Sequence, residues 1–532
     1  MVAVQLARIW SSAPLNSIWM EDGYVFLADA LRWSFFHALA TPYSSYLNTV
    51  ARLVAEPVSV LPVKWFAPAM AVSGAAIVTG CAFVVWRASA GHIRTPYLRA
   101  ALVTVMVLIP NAGVEMTANV TYAIWFLLFA CFWVLLWRPA TFSGAVGAGV
   151  LVLLAALSNA LIVFLLPLWL LRLLAVRDRR DKVIVISYAV GVIIQFISSW
   201  NQRALIGEAG GTLAQMTQHA HWHWSLVPAY FQRIVGAGVV GQWVEGYLWV
   251  HLGDAFELPL VAAFLVFLVL LLRGASAGTR VLVLLTAGLS LAMFLYSGFQ
   301  REVGSQFFWP HGQSNVIASH YIVVPTLLLL SALFIGLDAE PGSDSVVTQR
   351  GIRIGVVAAV LIGTLVSFRV SDAWIRGRPT WTSQVAAGRT QCEHTTLDRT
   401  DLVIAPNVLY SPRMAVLCDK LLGRALAGRH PPLPDLHTVV LRPLNDAILS
   451  GNMFIAAGAS DNVQVTSVEI RLSEGSEAGG FLGVTRLGPF GWILPWNTAS
   501  IANGTYLLQS VAHDSAGIAA KSPWVTVVVR NR

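Results

Sequence analysis

Thr121–Trp137 reads TYAIWFLLFACFWVLLW, a run with no charged residue and no polar side chain beyond Thr121 and the Tyr122 hydroxyl. As a helix rising 1.5 Å per residue it would be about 25 Å long, close to the ~30 Å hydrocarbon core of a bilayer. Further apolar runs occur at 66–86, 100–118, 143–157, 160–174, 183–200, 257–273, 280–297, 320–337 and 353–370. They predict an α-helical polytopic membrane protein of roughly ten spans, the short ones tilted or locally thinning the bilayer. Ser158-Asn159 divides one long apolar stretch and is read as a hairpin tip.

Composition agrees. The chain has 532 residues, 56% hydrophobic and 12% charged, against about 25% charged in ordinary soluble domains. The net charge of +8 does not point to nucleic acid, because the basic residues lie between the apolar runs and in the tail rather than in one stripe. Membrane topology and anionic lipid headgroups account for them. Arg87/Arg94/Arg99, Arg138, Arg172/Arg177/Arg179/Arg180/Lys182, Arg273/Arg280 and Arg350/Arg353 all fall on one side of the bilayer if Ser158-Asn159 is a hairpin. The alternate loops hold only Arg203, Arg233 and Arg301. The basic side is therefore the cytoplasmic one, and both chain ends are external.

Residues 1–63 are then an extracytoplasmic segment, although Val2–Trp19, with Gln5, Arg8, Pro14 and Asn16, is too polar to span. Either this segment is translocated unaided or a further helix precedes Met1 in the intact protein; the second is the expectation. Residues 64–370 form the membrane domain. A mixed external segment, 371–447, has a strand-like run at Leu402–Ala405 and a helical stretch at Met414–Leu426. Cys392 and Cys418 lie there, where an external compartment permits a disulfide, while Cys81 and Cys131 sit inside apolar runs as small core residues.

From 448 to 532 the pattern turns to short alternating strands: Val465–Leu472, Thr505–Ala512 and Trp524–Val529. Asn503-Gly504 reads as a hairpin turn, and Asp514–Gly517 as a second turn. Ala459–Asn462, Val468-Glu469, Gly491-Trp492, Trp496–Thr498, Asn503–Tyr506 and Ala512–Gly517 resemble the bacterial Ig-like β-sandwich appended to many exported proteins. That resemblance implies a C-terminal extracytoplasmic β-sandwich and little about activity.

Chemistry concentrates in the first external segment: Glu21-Asp22-Gly23, then Pro42-Tyr43, Tyr46 and Arg52. Two adjacent carboxylates beside a bilayer are costly without a use. They suit general-base work, in which a carboxylate accepts a hydroxyl proton as a bond forms. They also suit an ordinary acidic turn at the start of a helix near Tyr24. His219, His221 and His223 offer metal-ligand spacing on a strand, or an interfacial His/Trp belt. No Walker A, GxSxG or HExxH motif occurs. Few carboxylates lie within the spans, unlike an ion-coupled transporter.

This arrangement resembles the GT-C superfamily of integral-membrane glycosyltransferases, which use polyprenyl-phosphate sugars. The acidic pair in the first external loop is joined by Pro110-Asn111, Glu115 and Asn119, Leu157-Ser158 with Pro167, and Tyr321 with Pro325. The resemblance implies that Asp22 or Glu21 is the catalytic base. It also implies transfer of a sugar from a polyprenyl-phosphate sugar lipid to a cell-envelope glycan acceptor at the plasma (inner) membrane. Tyr46, Arg52, Glu115 and Asn119 are further pocket candidates. A divalent cation is optional in such enzymes; Asp22, Glu21 and Glu115 would be its oxygen ligands. Where similar proteins have Arg-Tyr in the late loop, this chain has His320-Tyr321, so Arg301, His311 and His320 are the candidates for the donor phosphate. Two other readings remain open: a non-catalytic flippase of lipid-linked envelope precursors, and a scaffold presenting the Ig-like module.

Overall fold

The computed structural model describes residues 1–43, 46–208, 224, 226–273, 275–301, 320–339, 346–370, 380–394, 399–405, 413–424, 436–443, 445–460, 465–474, 479–488, 491–514 and 518–531. Five helices among them are long and apolar enough to cross a membrane: Val63–Gly91, Arg179–Ser198, Ala255–Arg273, Ala277–Phe299 and His320–Asp338. Six shorter apolar helices accompany them, including Pro96–Val107, Val120–Leu136 and Phe142–Ala156.

Burial sorts these helices. Of the apolar window in His320–Asp338, 89% is buried in the bundle, against 6% in Ala255–Arg273. The first is a core helix and the second a peripheral one, with Leu258, Val266 and Leu270 exposed. Val120–Leu136 is the centre. Its sequence is apolar on every face, so it has no side to turn outward, and Ala123 through Leu135 are all buried. Glycine sets close approaches at only some of its positions. A Cβ on Gly74 would meet the backbone of Asn119 at 2.7 Å, and one on Gly149 would meet Ser187 Oγ at 2.8 Å, whereas Gly80 and Gly147 face open space.

The basic loops gather at one end of the bundle. Arg138 donates to the Ala175 carbonyl and Arg180 to that of Ala140. Asp338 accepts from the Arg94 and Thr95 amides ahead of Pro96–Val107, and Arg353 donates to the Ala339 carbonyl. The chain reverses at Leu157–Asn159, as the sequence leads one to expect. There Ser158 Oγ accepts from the Val50 amide and Asn159 Oδ1 from that of Leu161. This turn lies at the opposite end, beside residues 47–50.

The interval between the apolar runs 183–200 and 257–273 holds helices that the sequence does not lead one to expect. Leu226–Tyr230, the π-helical turn Phe231–Gly236 and Ala237–Val240 form a helical segment packed against Phe294, Ile322 and Leu329. Gln242–Leu252 follows as another helix. Gln232, Arg233, Gly236 and Gly238 break the apolar pattern, which hid this segment.

The tail holds two bodies. In the first, helix Trp381–His394 packs beside a hairpin of β1 (Arg399–Val403) and β2 (Arg413–Leu417). The short helix Cys418–Leu422 follows, and Cys392 is disulfide-bonded to Cys418 with Cα atoms 5.3 Å apart. Met414 therefore lies in a strand, not in the expected helix. Its alternation with Val416, both buried, is the period-2 signal.

The second body is a two-sheet β-structure around Ile455, Val468, Ile470, Leu508 and Val527. One sheet runs β3 (His437–Arg442), β5 (Asn452–Ser460), β9 (Gly491–Asn497) and β8 (Arg486–Gly488). The other centres on β10 (Gly504–Asp514), flanked by β12 (Val525–Val529) and β6 (Val465–Ser473). At its margins lie β4 (Ala447–Leu449), β7 (Gly480–Val484) and β11 (Ala519–Lys521). The three alternating runs are β6, β10 and β12, while β3, ahead of residue 448, and β4, which straddles it, also pair into these sheets. Asn503-Gly504 is not a hairpin turn: it joins β9 in one sheet to β10 in the other. Instead Asn503 exchanges hydrogen bonds with Asn531, pinning the end of the last strand.

Candidate functional site

The Glu-Asp pair sits at the end of the bundle away from the basic loops. Its backbone is set from both sides. The Met20 amide donates to the Ala405 carbonyl at 2.7 Å and the Ala405 amide to Ile18 at 2.8 Å, so the tail adds a short parallel bridge just before Glu21. Gly23 permits this contact, since a Cβ there would meet Ile404 Cδ1 at 2.7 Å. From Asp22 the chain winds as a π-helical turn to Leu27 and continues helically to Arg32.

Both carboxylates are buried, Glu21 at 3% exposure and Asp22 at 2%, yet they are used differently. Asp22 accepts from the Val120 amide (3.0 Å), the Thr121 amide (2.8 Å) and Thr121 Oγ1. These are orphan donors at the start of Val120–Leu136, so Asp22 caps that helix rather than the one it begins. Burial lifts Asp22 to about 6, against those three hydrogen bonds, which pull it down.

Glu21 has weaker company. Its Oε1 lies 3.4 Å from the Tyr43 and Tyr122 hydroxyls. Its Oε2 is buried with no hydrogen-bond partner among the described residues. Burial, then the charges of Asp22 and Glu115, pushes Glu21 up to about 7. A carboxyl near neutrality with an unused oxygen is suited to exchanging a proton.

Glu115 and His320 join this cluster, with His320 Nδ1 3.3 Å from Glu115 Oε1. The His320 ring stacks on Tyr122 at 4.9 Å and lies against Tyr321 at 4.0 Å. Asn119 is the N-cap of Val120–Leu136, its Oδ1 accepting from the Tyr122 amide at 3.2 Å. Arg52 is committed elsewhere: it bridges Asp29 at 2.9 Å and covers the Phe26 ring. Tyr46 pairs with Tyr43 through the backbone. The Arg301 side chain and all of His311 lie outside the described residues, as do His219, His221 and His223. Among the described residues no three His, Cys, Asp or Glu are grouped to hold a metal ion.

Sequence reasoning missed Tyr43 and Tyr122 as partners of Glu21, Asp29 as the partner of Arg52, and the Ala405 bridge. Tyr43 stood in the quoted motif, but nothing local connects it to Glu21.

On the other side of Asp22 is a cavity of about 30 Å³, lined by Ile9, Ser12, Ser17, Trp19, Asp22 and Asn119 among others. That is room for a water molecule or two and too little for a sugar ring.

No family model matches this chain, and no curated protein does. Several solved structures are similar to parts of it. The fibronectin(III)-like modules of Clostridium thermocellum CbhA are 21% identical over 18% of this chain and 94% of theirs, with a TM-score of 0.15. An endo-beta-1,4-mannanase from Thermotoga petrophila is 13% identical over 21% of this chain and 22% of its own, at 0.17. An engineered protein is 13% identical over 23% and 30%, at 0.16. Scores this low carry no argument about fold or activity.

Proposed function

We propose that this chain is a polytopic glycosyltransferase of the GT-C type, with about ten spans, in a bacterial plasma membrane. It moves a sugar from a polyprenyl-phosphate donor to an extracytoplasmic envelope acceptor, and its tail, including the Ig-like sandwich, is extracytoplasmic. Glu21 is the base: it takes the acceptor hydroxyl proton as that oxygen bonds to the anomeric carbon. The carbon–oxygen bond to phosphate breaks, and the polyprenyl phosphate leaves with the electron pair. Asp22 holds the base in register by anchoring its neighbour to Val120–Leu136. The acidic end of the bundle faces outward because the basic loops gather at the other end, and the Cys392–Cys418 bond suits an oxidising exterior.

The observation that carries this reading is Glu21 itself, a buried carboxylate with an unpartnered oxygen and a proton affinity near neutrality. Removing a positioned general base costs about 10²–10⁴ in rate. Glu21→Gln should therefore lose at least about a hundredfold in transfer from a radiolabelled polyprenyl-phosphate sugar, with unchanged protein level. Transfer at the wild-type rate would exclude Glu21 as the base and remove the main support for the reading.

A further inference from the structure

Asp22 takes its three hydrogen bonds from one side, the start of Val120–Leu136. A carboxylate offers about four acceptor sites, and Oδ2 receives the Val120 amide alone among the described residues. The small cavity beside it is lined by Ser12, Asp22 and Asn119, together with the apolar Ile9, Met70 and Ala71. Ser12 Oγ and Asn119 Nδ2 are both buried with no hydrogen-bond partner among the described residues. The Asn119 carboxamide is already half used, because its Oδ1 accepts from the Tyr122 amide at 3.2 Å. What it has left is a donor.

These three groups select their occupant. A bare oxyanion would meet the Asp22 charge, and a bare cation would meet the Asn119 N–H groups. An apolar group would leave all three unpaired, which buried polar groups avoid. Water can donate to a carboxylate and accept from an amide at once, and a buried water makes about three such bonds. The space of about 30 Å³ holds one or two of them.

We propose that this cavity is an internal hydration site, in which one or two waters bridge Ser12 and Asn119 to the Asp22 carboxylate. Its walls come from separate parts of the chain: the N-terminal turns Trp10–Ser12 and Pro14–Asn16, the helix Phe66–Ala88, and the stretch from Val114 to Asn119. The water joins the N-terminal turns to the cap of Val120–Leu136. It also solvates Asp22 from the side that the helix leaves open, which favours the ionised form of the cap. The site stands independently of the transferase reading.

Hydroxyl-radical footprinting of the full purified chain in nanodiscs tests this, since radiolysis of a held water labels the side chains touching it. Met70 is on the cavity wall, whereas Met106 and Met293 are comparably buried and are not. Met70 should be oxidised at least about tenfold faster than either, as expected beside an internal water. Ala71→Leu fills the space and should remove that excess, while Phe481, exposed on the sandwich, keeps its rate. Ser12→Val closes the cavity from the N-terminal side and should do the same. Met70 as slow as Met106 and Met293 in the wild type overturns the proposal. So does a fast Met70 that neither substitution slows, because bulk solvent rather than a held water would then be reaching it.

Discussion

Asp22 and Arg172 hold opposite ends of the same helix. Asp22 accepts the first amides of Val120–Leu136, and Arg172 donates to the carbonyls of Val134, Leu135 and Trp137 while bridging Asp181 at 2.8 Å. A carboxylate at the N-terminus and a guanidinium at the C-terminus are the signs the helix dipole favours. In a low-dielectric bundle both ends would otherwise be unsatisfied.

Asp22 and Glu21 should therefore separate on substitution. Asp22→Ala removes a cap worth about 0.5–2 kcal/mol and should lower the melting temperature in detergent. Glu21→Gln should abolish transfer without lowering the melting temperature, and at and above about pH 7 should raise it, because Gln carries no charge to bury. Melting curves beside single-turnover assays on both variants check this; the reverse pattern would exchange the two roles.

Arg172→Gln strands Asp181 and three helix-end carbonyls. Breaking a buried pair by deleting one partner costs about 3–5 kcal/mol, so a large loss of thermal stability is expected. Arg172→Gln combined with Asp181→Asn should recover part of it, as a double-mutant cycle measures.

The pH dependence has an unusual sign for carboxylates. Glu21 and Asp22 are raised to about 7 and about 6 by burial, so the folded state binds more protons than the unfolded one between the ordinary carboxylate range and pH about 7. Stability is then fullest in acid and falls as pH rises through that window. Transfer should do the opposite, rising through about pH 7 as Glu21 ionises and levelling above it. Denaturant midpoints and rates across pH 4.5–8 read both trends, and Glu21→Gln should flatten most of the first.

Replacing Cys392 and Cys418 together by serine opens a loop whose ends are 26 residues apart, a loss of about 3–4 kcal/mol on loop-entropy grounds. Limited proteolysis should then cut within 380–424 while the β10-centred sandwich stays resistant. Transfer should fall as well, because Ala405 braces the strand before Glu21.

Gly74→Ala tests the packing of the cap. Its Cβ would meet backbone atoms of Ala118 and Asn119 at 2.7–2.9 Å, which cannot swing aside as a side chain would. Overpacking of this kind costs about 1–3 kcal/mol, and transfer should drop with stability; Gly80→Ala, facing open space, should be silent in both.

What could be read from the sequence follows from the range of each signal. Apolar length and Ser158-Asn159 are local and marked the helices and their reversal. Alternation marked β6, β10 and β12 for the same reason. The helical segment Leu226–Val240 was hidden because Gln232 and Arg233 make it look like a loop; their burial against Asn111 and neighbouring helices is a tertiary fact, with Asn111 Nδ2 donating to the Arg233 carbonyl at 2.8 Å. Glu21 and Glu115 were legible as carboxylates that the sequence expects in external loops. That Asp22 would be spent on a distant helix, and that Tyr43 and Tyr122 would flank Glu21, depends on contacts no spacing encodes. Asn503-Gly504 misled because a turn dipeptide is silent about which sheet comes next.

The bridge between Ile18–Met20 and Ala405 sets an order of events during biosynthesis. The segment around Glu21 emerges early from the ribosome, but Ala405, which fixes its backbone, follows only after the whole helical bundle has been made. On the proposed reading, a chain made only as far as the bundle carries Glu21 without its brace and stays inactive until Ala405 is in place.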